Sequence, residues 1–433
     1  MRKRMWFMGI CVFLLLPLLF MWGCGGGKKE VAGPGGDPIG DPIIIGSALP
    51  VAFSYGWVGE RGIRLAVEEI NAAGGVNVGG VMRPFKVEVI DTRDLEAGVP
   101  VSEALLAVEK LILEKKAHFL VGGPARTEAL LPTLDLVNKH EIIHISSTGS
   151  FSPRSNQMVK DDYEKYKFHF KTTCWTFTML GDFYGVLDSL KEEHGFNKIA
   201  VMVQDVAHAR QAGEIVSKRM AEKGWDVMDP IIYPTGTLDY SDGLLRARKF
   251  GAQVLFVWMD MPESVIMMRQ YRDMQIPAIP IGFINAAEHP DFWNATEGKG
   301  EYTLNHLVNS GNAPAVVTPL TMPFVEAYKA RWGVEPEGYG ASSSYQAIYT
   351  LKDAIERAGT IETYAVLAAL EATDMEGVYG RVRFDPETHL VMHSLDPAEG
   401  AVPQIIQWLD GKRETVFPPS IATKQLQLPP WMN

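Results

Sequence analysis

Hydrophobic and polar positions alternate along this chain in a rhythm that begins near residue 43 and lasts almost to the end. Ile43-Ile44-Ile45-Gly46 reads as a short buried strand, and Gly62 to Ala73 reads as a helix with Ile63, Val67 and Ile70 on one face. Gly74-Gly75 closes that helix, because glycine accepts the left-handed backbone that commonly ends one. The pattern then predicts a strand over 85–90, a helix over 101–116, a strand over 118–121, a helix over 127–139 and a strand over 142–146. After Lys171 the rhythm restarts with helices over 178–193, 209–223, 241–250 and 263–274. The strands between and after them cover 198–203, 227–233, 254–259 and 278–282. Strands alternating with helices build a parallel sheet with helices on both faces. Two runs of similar size predict an α/β fold of two doubly wound lobes. The remainder holds helices over 322–358 and 363–371 and strand-like stretches at 380–384 and 404–408. That is too fragmentary for a third body, so it is assigned back to the two lobes.

The start of the chain has a different pattern. Met1-Arg2-Lys3-Arg4 precedes an almost unbroken apolar run from Met5 to Trp22, followed by Gly23-Cys24-Gly25-Gly26-Gly27. A basic segment, an apolar segment and a small residue before a break form a secretory signal. A cysteine directly after that small residue suggests a bacterial lipoprotein signal over 1–23, with lipid carried on Cys24. The alternative is an uncleaved membrane anchor, since the run approaches the ~18 residues that begin to suggest a spanning helix. Residues 24–41, rich in Gly, Pro and Lys, make a flexible tether. Either way the body of the protein is exported to the periplasm or cell surface, and with the signal cleaved a lipid anchor is its only expected hold on a membrane.

Composition narrows the choices. Removing Arg2, Lys3 and Arg4 from 41 basic residues leaves 38 against 52 acidic ones, a formal charge of −14. Nucleic-acid binding would need a basic stripe, so such a partner is not expected. Of three cysteines, Cys11 leaves with the signal and Cys24 is the lipid site, so Cys174 has no partner for an internal disulfide. It reads as a small buried hydrophobe.

One catalytic pattern needs weighing. His140-Glu141-Ile142-Ile143-His144 is an H-E-x-x-H match, with Glu164 further on as a third ligand. On a helix this would be a zinc site with the glutamate as general base. Ile142-Ile143-His144-Ile145 is β-branched and strand-like, however. Residues four apart on a strand lie about 13 Å from each other at ~3.3 Å per residue. Zinc bonds of ~2 Å cannot bridge that gap. No metal, no cofactor and no catalytic residue is therefore expected. The chain also lacks a G-x-S-x-G elbow and a G-x-x-x-x-G-K-[ST] loop.

In open α/β sheets ligands bind outside the carboxyl ends of the strands, where helix N-termini present backbone N–H groups. The segments there are Ala48 to Trp57, Gly122 to Thr127, Ser146 to Ser150, Gln204 to His208, Trp258 to Asp260 and Phe283 to Asn285. Hydroxyls, glycines and aromatics gathered in these places suit a small polar ligand with an apolar part. Tyr55 and Trp57 are loop aromatics able to stack on it or to cap the core. Met267 and Met268 sit at helical spacing and read as packing.

These segments, in this order, resemble the leucine/isoleucine/valine-binding proteins of bacterial ABC importers, which have the type I periplasmic-binding-protein fold. The resemblance covers roughly residues 42 to 410 and is carried by "IIIGSALP", "GERGIRLAVEEINAAGG", "FLVGGPART", "IIHISSTGS", "KIAVMVQD" and "YGASSSYQAIYTLKDAIERAG". It implies a receptor whose two lobes, joined by three crossing strands, close on a small-molecule solute and deliver it to a membrane permease. Crossings are expected near Lys171–Cys174, Asn309–Ala313 and Gly377–Arg381, giving a first lobe of 42–171 plus 312–377 and a second of 172–311 plus 378–433. The family's carboxylate-binding positions fall on Arg126 or Thr127 and on Ser146, Thr148, Gly149 and Ser150. An arginine there could clamp a carboxylate through two parallel hydrogen bonds. The family's ammonium-binding glutamate falls after Gly282, where this chain has Phe283-Ile284-Asn285. Asp205 or Asp260 could replace that charge, or could cap helices instead. His208 is the nearest ring where the family often offers an aromatic, and Trp258 and Asn285 complete the candidate set. An amino acid or a related small carboxylate or amide is the expected solute. The alternatives are a ligand-sensing receptor on the same fold and a secreted zinc hydrolase.

Overall fold

Two sheets with the same strand order organise the chain in its computed structural model, which describes residues 40–432 apart from Tyr339. The expected signal, Cys24 and all but the last two residues of the tether lie outside the described residues.

The first sheet runs, in space, Phe85–Asp91, Ile43–Leu49, Phe119–Gly122, His144–Ser146, His169–Lys171. Every neighbouring pair is parallel. In chain order this is 2-1-3-4-5, a doubly wound arrangement that reverses between its first and third strands. The second sheet runs Asp226–Tyr233, Lys198–Gln204, Val254–Met259, Ile279–Ile284, Leu304–His306, again 2-1-3-4-5 and parallel. Ile405–Leu409 and Lys412–Phe417 extend it antiparallel. Helices in the connections carry the chain between these parallel strands.

Each sheet is buried on both faces. Ile199, Val201 and Val203 enter one apolar cluster, while Ala200 and Met202 enter another on the opposite face. That is the two-residue alternation of a strand. The first sheet has its own cluster, joined by helices Thr321–Trp332, Ala341–Ala358 and Thr363–Glu371. Val378, Tyr379, Val382, Phe384, Val391 and Ala401 also belong to that first cluster, whereas Ile405 and Ile406 belong to the second set. The last passage between the two sheets therefore falls between Ala401 and Ile405, not at Gly377–Arg381. The hairpin Asp374–Gly377/Gly380–Arg383 packs beside the first sheet instead of crossing.

Two element boundaries move with consequences for the ligand site. The first helix begins at Ser54, not at 62, so Tyr55 and Trp57 stand in its opening turn and are not loop residues. The strand expected to end at Gly282 runs on to Ile284, which makes Phe283 a strand residue and Asn285 the start of the short helix Asn285–Glu288. Among the described residues no helix is long and apolar enough to cross a membrane.

Candidate ligand-binding cleft

The carboxyl ends of both sheets face one cavity of about 720 Å³. Small-ligand sites commonly span a few hundred to a thousand Å³. The cavity lies where both strand orders reverse, as expected for doubly wound sheets.

The first wall is built from three segments. Tyr55 opens the helix Ser54–Ala72, Arg126 and Thr127 start the helix Thr127–Lys139, and Gly149 to Pro153 follow the strand His144–Ser146. Gly149 has φ +64°, and a Cβ there would lie 2.5 Å from that of Ala125, so only glycine lets these two segments close up. That approach brings the Thr127 and Ser150 hydroxyls to 3.2 Å. Arg126 is fixed through its backbone N–H, which donates to Asp94 at 2.6 Å. Its side chain is 41 % exposed, with Nε 3.3 Å from Glu128.

The second wall is more apolar. Trp258 at the end of its strand is 1 % exposed and packs against Phe283, ring centres 5.3 Å apart, and against Phe183 and Phe256. Asp260 donates its backbone N–H to Gln204 and accepts from His208, whose Nε2 lies 2.5 Å from Oδ2. Burial alone pulls the His208 imidazolium down, but Asp260, and more weakly Glu128, outweigh it and hold the group above its ordinary value.

The walls meet at two places. The Tyr55 hydroxyl lies 3.5 Å from Asp260 Oδ1 and 3.3 Å from Asn285 Nδ2. Phe151 stands edge-on to Phe283, with ring centres 5.7 Å apart.

Of the residues singled out in the sequence, Tyr55, Arg126, Thr127, Gly149, Ser150, His208, Trp258 and Asp260 line this cavity. Four do not. Ser146 ends its strand fully buried, and Thr148 spends its hydroxyl on the Tyr55 carbonyl at 2.5 Å. Asp205 pairs with Arg210 at the surface, and Asn285 is taken up by the Tyr55 hydroxyl. Trp57 stacks on His289 with ring centres 5.8 Å apart. Met267 and Met268 are fully buried in the second set of core residues.

Sequence reasoning missed Phe151, Phe177, Arg210 and Glu214, all lining the cavity. Phe151 was one residue beyond a loop already singled out. Phe177 follows the first crossing, a place no strand end marks.

The residues of the H-E-x-x-H pattern are dispersed. His144 is buried in the sheet, its Nε2 3.1 Å from the Gly123 carbonyl and its pKa pulled down to about 4 by burial. Glu141 is exposed and accepts a hydrogen bond from Tyr364 at 2.8 Å. Among the described residues no group of three His, Cys, Asp or Glu side chains is placed to hold a metal. Cys174 is buried, which pushes its thiol pKa up.

Four residues beyond Ile284 stands Glu288, fully buried, with neither carboxyl oxygen hydrogen-bonded among the described residues. Burial, and then the Asp260 charge, push its carboxyl well above the usual range. It lies near the strand end where the resemblance looked for a glutamate, but it does not line the cavity.

Two lobes with matching windings and a cleft at their switch points define a solute-binding protein. Residues 49–401 match the family described as periplasmic binding protein, and the chain belongs to that family. It is 22 % identical over 404 residues to the Leu/Ile/Val-binding protein homolog 8 of Brucella abortus, covering 89 % of this chain and 93 % of the relative. Among solved structures it is similar to one assigned to the branched-chain amino acid ABC transporters of Silicibacter pomeroyi. That match has a TM-score of 0.78 and 22 % identity, over 90 % of this chain and 100 % of the other. Another similar structure is an ABC-transporter solute-binding protein of Rhodopseudomonas palustris in complex with 3,4-dihydroxybenzoic acid. Its TM-score is 0.66 at 18 % identity, over 86 % of this chain and 95 % of the other. These likenesses give the type I periplasmic-binding-protein fold.

Proposed function

We propose that the chain is the extracytoplasmic receptor of an ABC importer, held to the membrane through lipid on Cys24, and that its solute is a small organic acid with a flat apolar body. The supporting observation is the contrast between the walls. Arg126, Thr127 and Ser150 line the cavity from the first lobe, at or near a helix N-terminus, while Trp258 and Phe283 line it from the second, with Phe151 and Phe177 also in the lining. A carboxylate suits the first set through charge-assisted hydrogen bonds, and a ring suits the second. The relative that holds 3,4-dihydroxybenzoic acid and the one named for branched-chain amino acids bracket the choice.

A second reading, an amino acid, is favoured by one observation. Asp260 lines the cavity beside the Tyr55 hydroxyl and could meet an ammonium group. Thermal-shift measurements with benzoate, 3,4-dihydroxybenzoate, benzamide and isoleucine separate the two, since a ligand that binds only the folded state raises the midpoint. The acid reading expects the two benzoates to give the largest shifts. A shift with isoleucine and none with the benzoates refutes it.

A further inference from the structure

A lysine with no acidic partner among the described residues lies directly behind the first wall of the cleft. Lys171 ends the strand His169–Lys171, where the chain leaves the first sheet, and it is fully buried. Its ammonium donates to the carbonyl of Ser150, and that of Ser152 lies 3.4 Å away. Among the described residues no carboxylate pairs with it. The titratable groups packed around it are His169 and His144 on the sheet, His389 and His393 on the segment running beside its strand, and Cys174 beyond it. Burial lowers the proton affinity of all four imidazoles and raises the pKa of the thiol, so none of them brings a charge at neutral pH.

The segment that Lys171 holds is cleft wall. Gly149 to Pro153 line the cavity, and the backbone there is strained at the non-glycine Ser150, whose φ is +45°. Such conformations persist only where surrounding structure enforces them. A buried ammonium with carbonyl partners alone is likewise unfavourable unless a further charge offsets it.

We propose that Lys171 is a positioning and selectivity residue of the cleft. It fixes the Gly149–Pro153 segment in its strained form and, once protonated, places a positive charge behind it, which favours anionic solutes. The proposal rests on the reading of the solute as an organic acid. Burial holds the Lys171 amine down to about 7, so at slightly alkaline pH much of the empty receptor carries it neutral. A bound carboxylate then favours the ammonium form, and Nζ takes one proton from a buffer acid: an N–H bond forms on the amine and the buffer's bond to that proton breaks, leaving the buffer base in solution.

The test is calorimetry on the receptor and on Lys171→Met and Lys171→Arg, with 3,4-dihydroxybenzoate and with isoleucine, at pH 8 in two buffers of different ionisation enthalpy. Wild type should take up protons on binding the benzoate. Lys171→Met should bind it at least tenfold more weakly without uptake, and Lys171→Arg should recover affinity while still taking up none. A wild type that takes up no proton, together with unchanged affinity in Lys171→Met, overturns the proposal. If isoleucine binds and the benzoate does not, the acid reading falls while the lysine is still judged. Tenfold weaker isoleucine binding in Lys171→Met, restored by arginine, supports the positioning role, and unchanged binding overturns it. Should Lys171→Met lose its cooperative melt, wild-type proton uptake and its absence in Lys171→Arg decide.

Discussion

The two walls of the cleft come from sheets of identical strand order, yet they are held by different forces. The second wall is the end of a core: Trp258 is buried among Phe183, Phe256 and Phe283, and those rings continue into the apolar cluster behind them. The first wall is polar and held by hydrogen bonds, with Arg126 fixed by Asp94, Thr127 against Ser150, and the Gly149–Pro153 segment fastened by Lys171. One topology thus supports an apolar surface that is stable because it is packed and a polar surface that is ordered because its donors are spoken for. Changes to the two walls should consequently register in different measurements.

Trp258→Ala is the harshest way to break the contrast. Truncating a buried tryptophan typically costs about 3–5 kcal/mol. Urea denaturation without any ligand should show that loss, and a cost under about 1 kcal/mol would mean the second wall is not part of the core. Arg126→Ala should do the reverse. Its side chain is 41 % exposed, so stability should stay within about 0.5 kcal/mol of wild type. Affinity for a carboxylate solute should fall tenfold or more, about 1.4 kcal/mol. Unchanged affinity by calorimetry removes Arg126 from the site.

The smallest effect expected is in pH. Because His208 is held above its ordinary pKa by Asp260, the pair stabilises the fold fully below about pH 6.5 and loses that contribution as pH rises through the raised value. With the histidine side chain 53 % exposed, solvent screening keeps this to under about 1 kcal/mol. Melting points at pH 6 and 8.5 should differ less in Asp260→Asn than in wild type. An unaltered pH dependence in that variant would show that the pair contributes nothing.

The alternating elements were legible because most strands are short apolar runs between helices with one apolar face. The helices Thr127–Lys139, Ser241–Phe250 and Thr363–Glu371 and the strand Val254–Met259 stand where the pattern predicts them. Three of the strands that escaped notice share a cause. His169–Lys171, Leu304–His306 and Lys412–Phe417 carry fully or largely buried polar groups, among them His169, Lys171, Asn305, His306 and Arg413. Burial of such residues erases the hydrophobic signal on which a strand assignment depends. The third crossing was misplaced because Gly380–Arg383 reads as a strand whichever core receives it.

The candidate site was legible in outline, since the ends of predicted strands mark where ligands bind in this class of sheet. Its chemistry was only partly so. Whether a hydroxyl-bearing residue lines the cavity, as Ser150 does, or bonds a distant backbone carbonyl, as Thr148 does, depends on segments far apart in sequence.

By itself, then, the sequence determined the two doubly wound runs, their order and the loops between them, because hydrophobic period and glycine placement are local properties. Tertiary structure alone decided which of those loops share a cavity, that Tyr55 reaches Asp260 205 positions away, and that Lys171 is buried behind the Ser150 segment. Those are outcomes of packing between distant elements, and no local pattern encodes them.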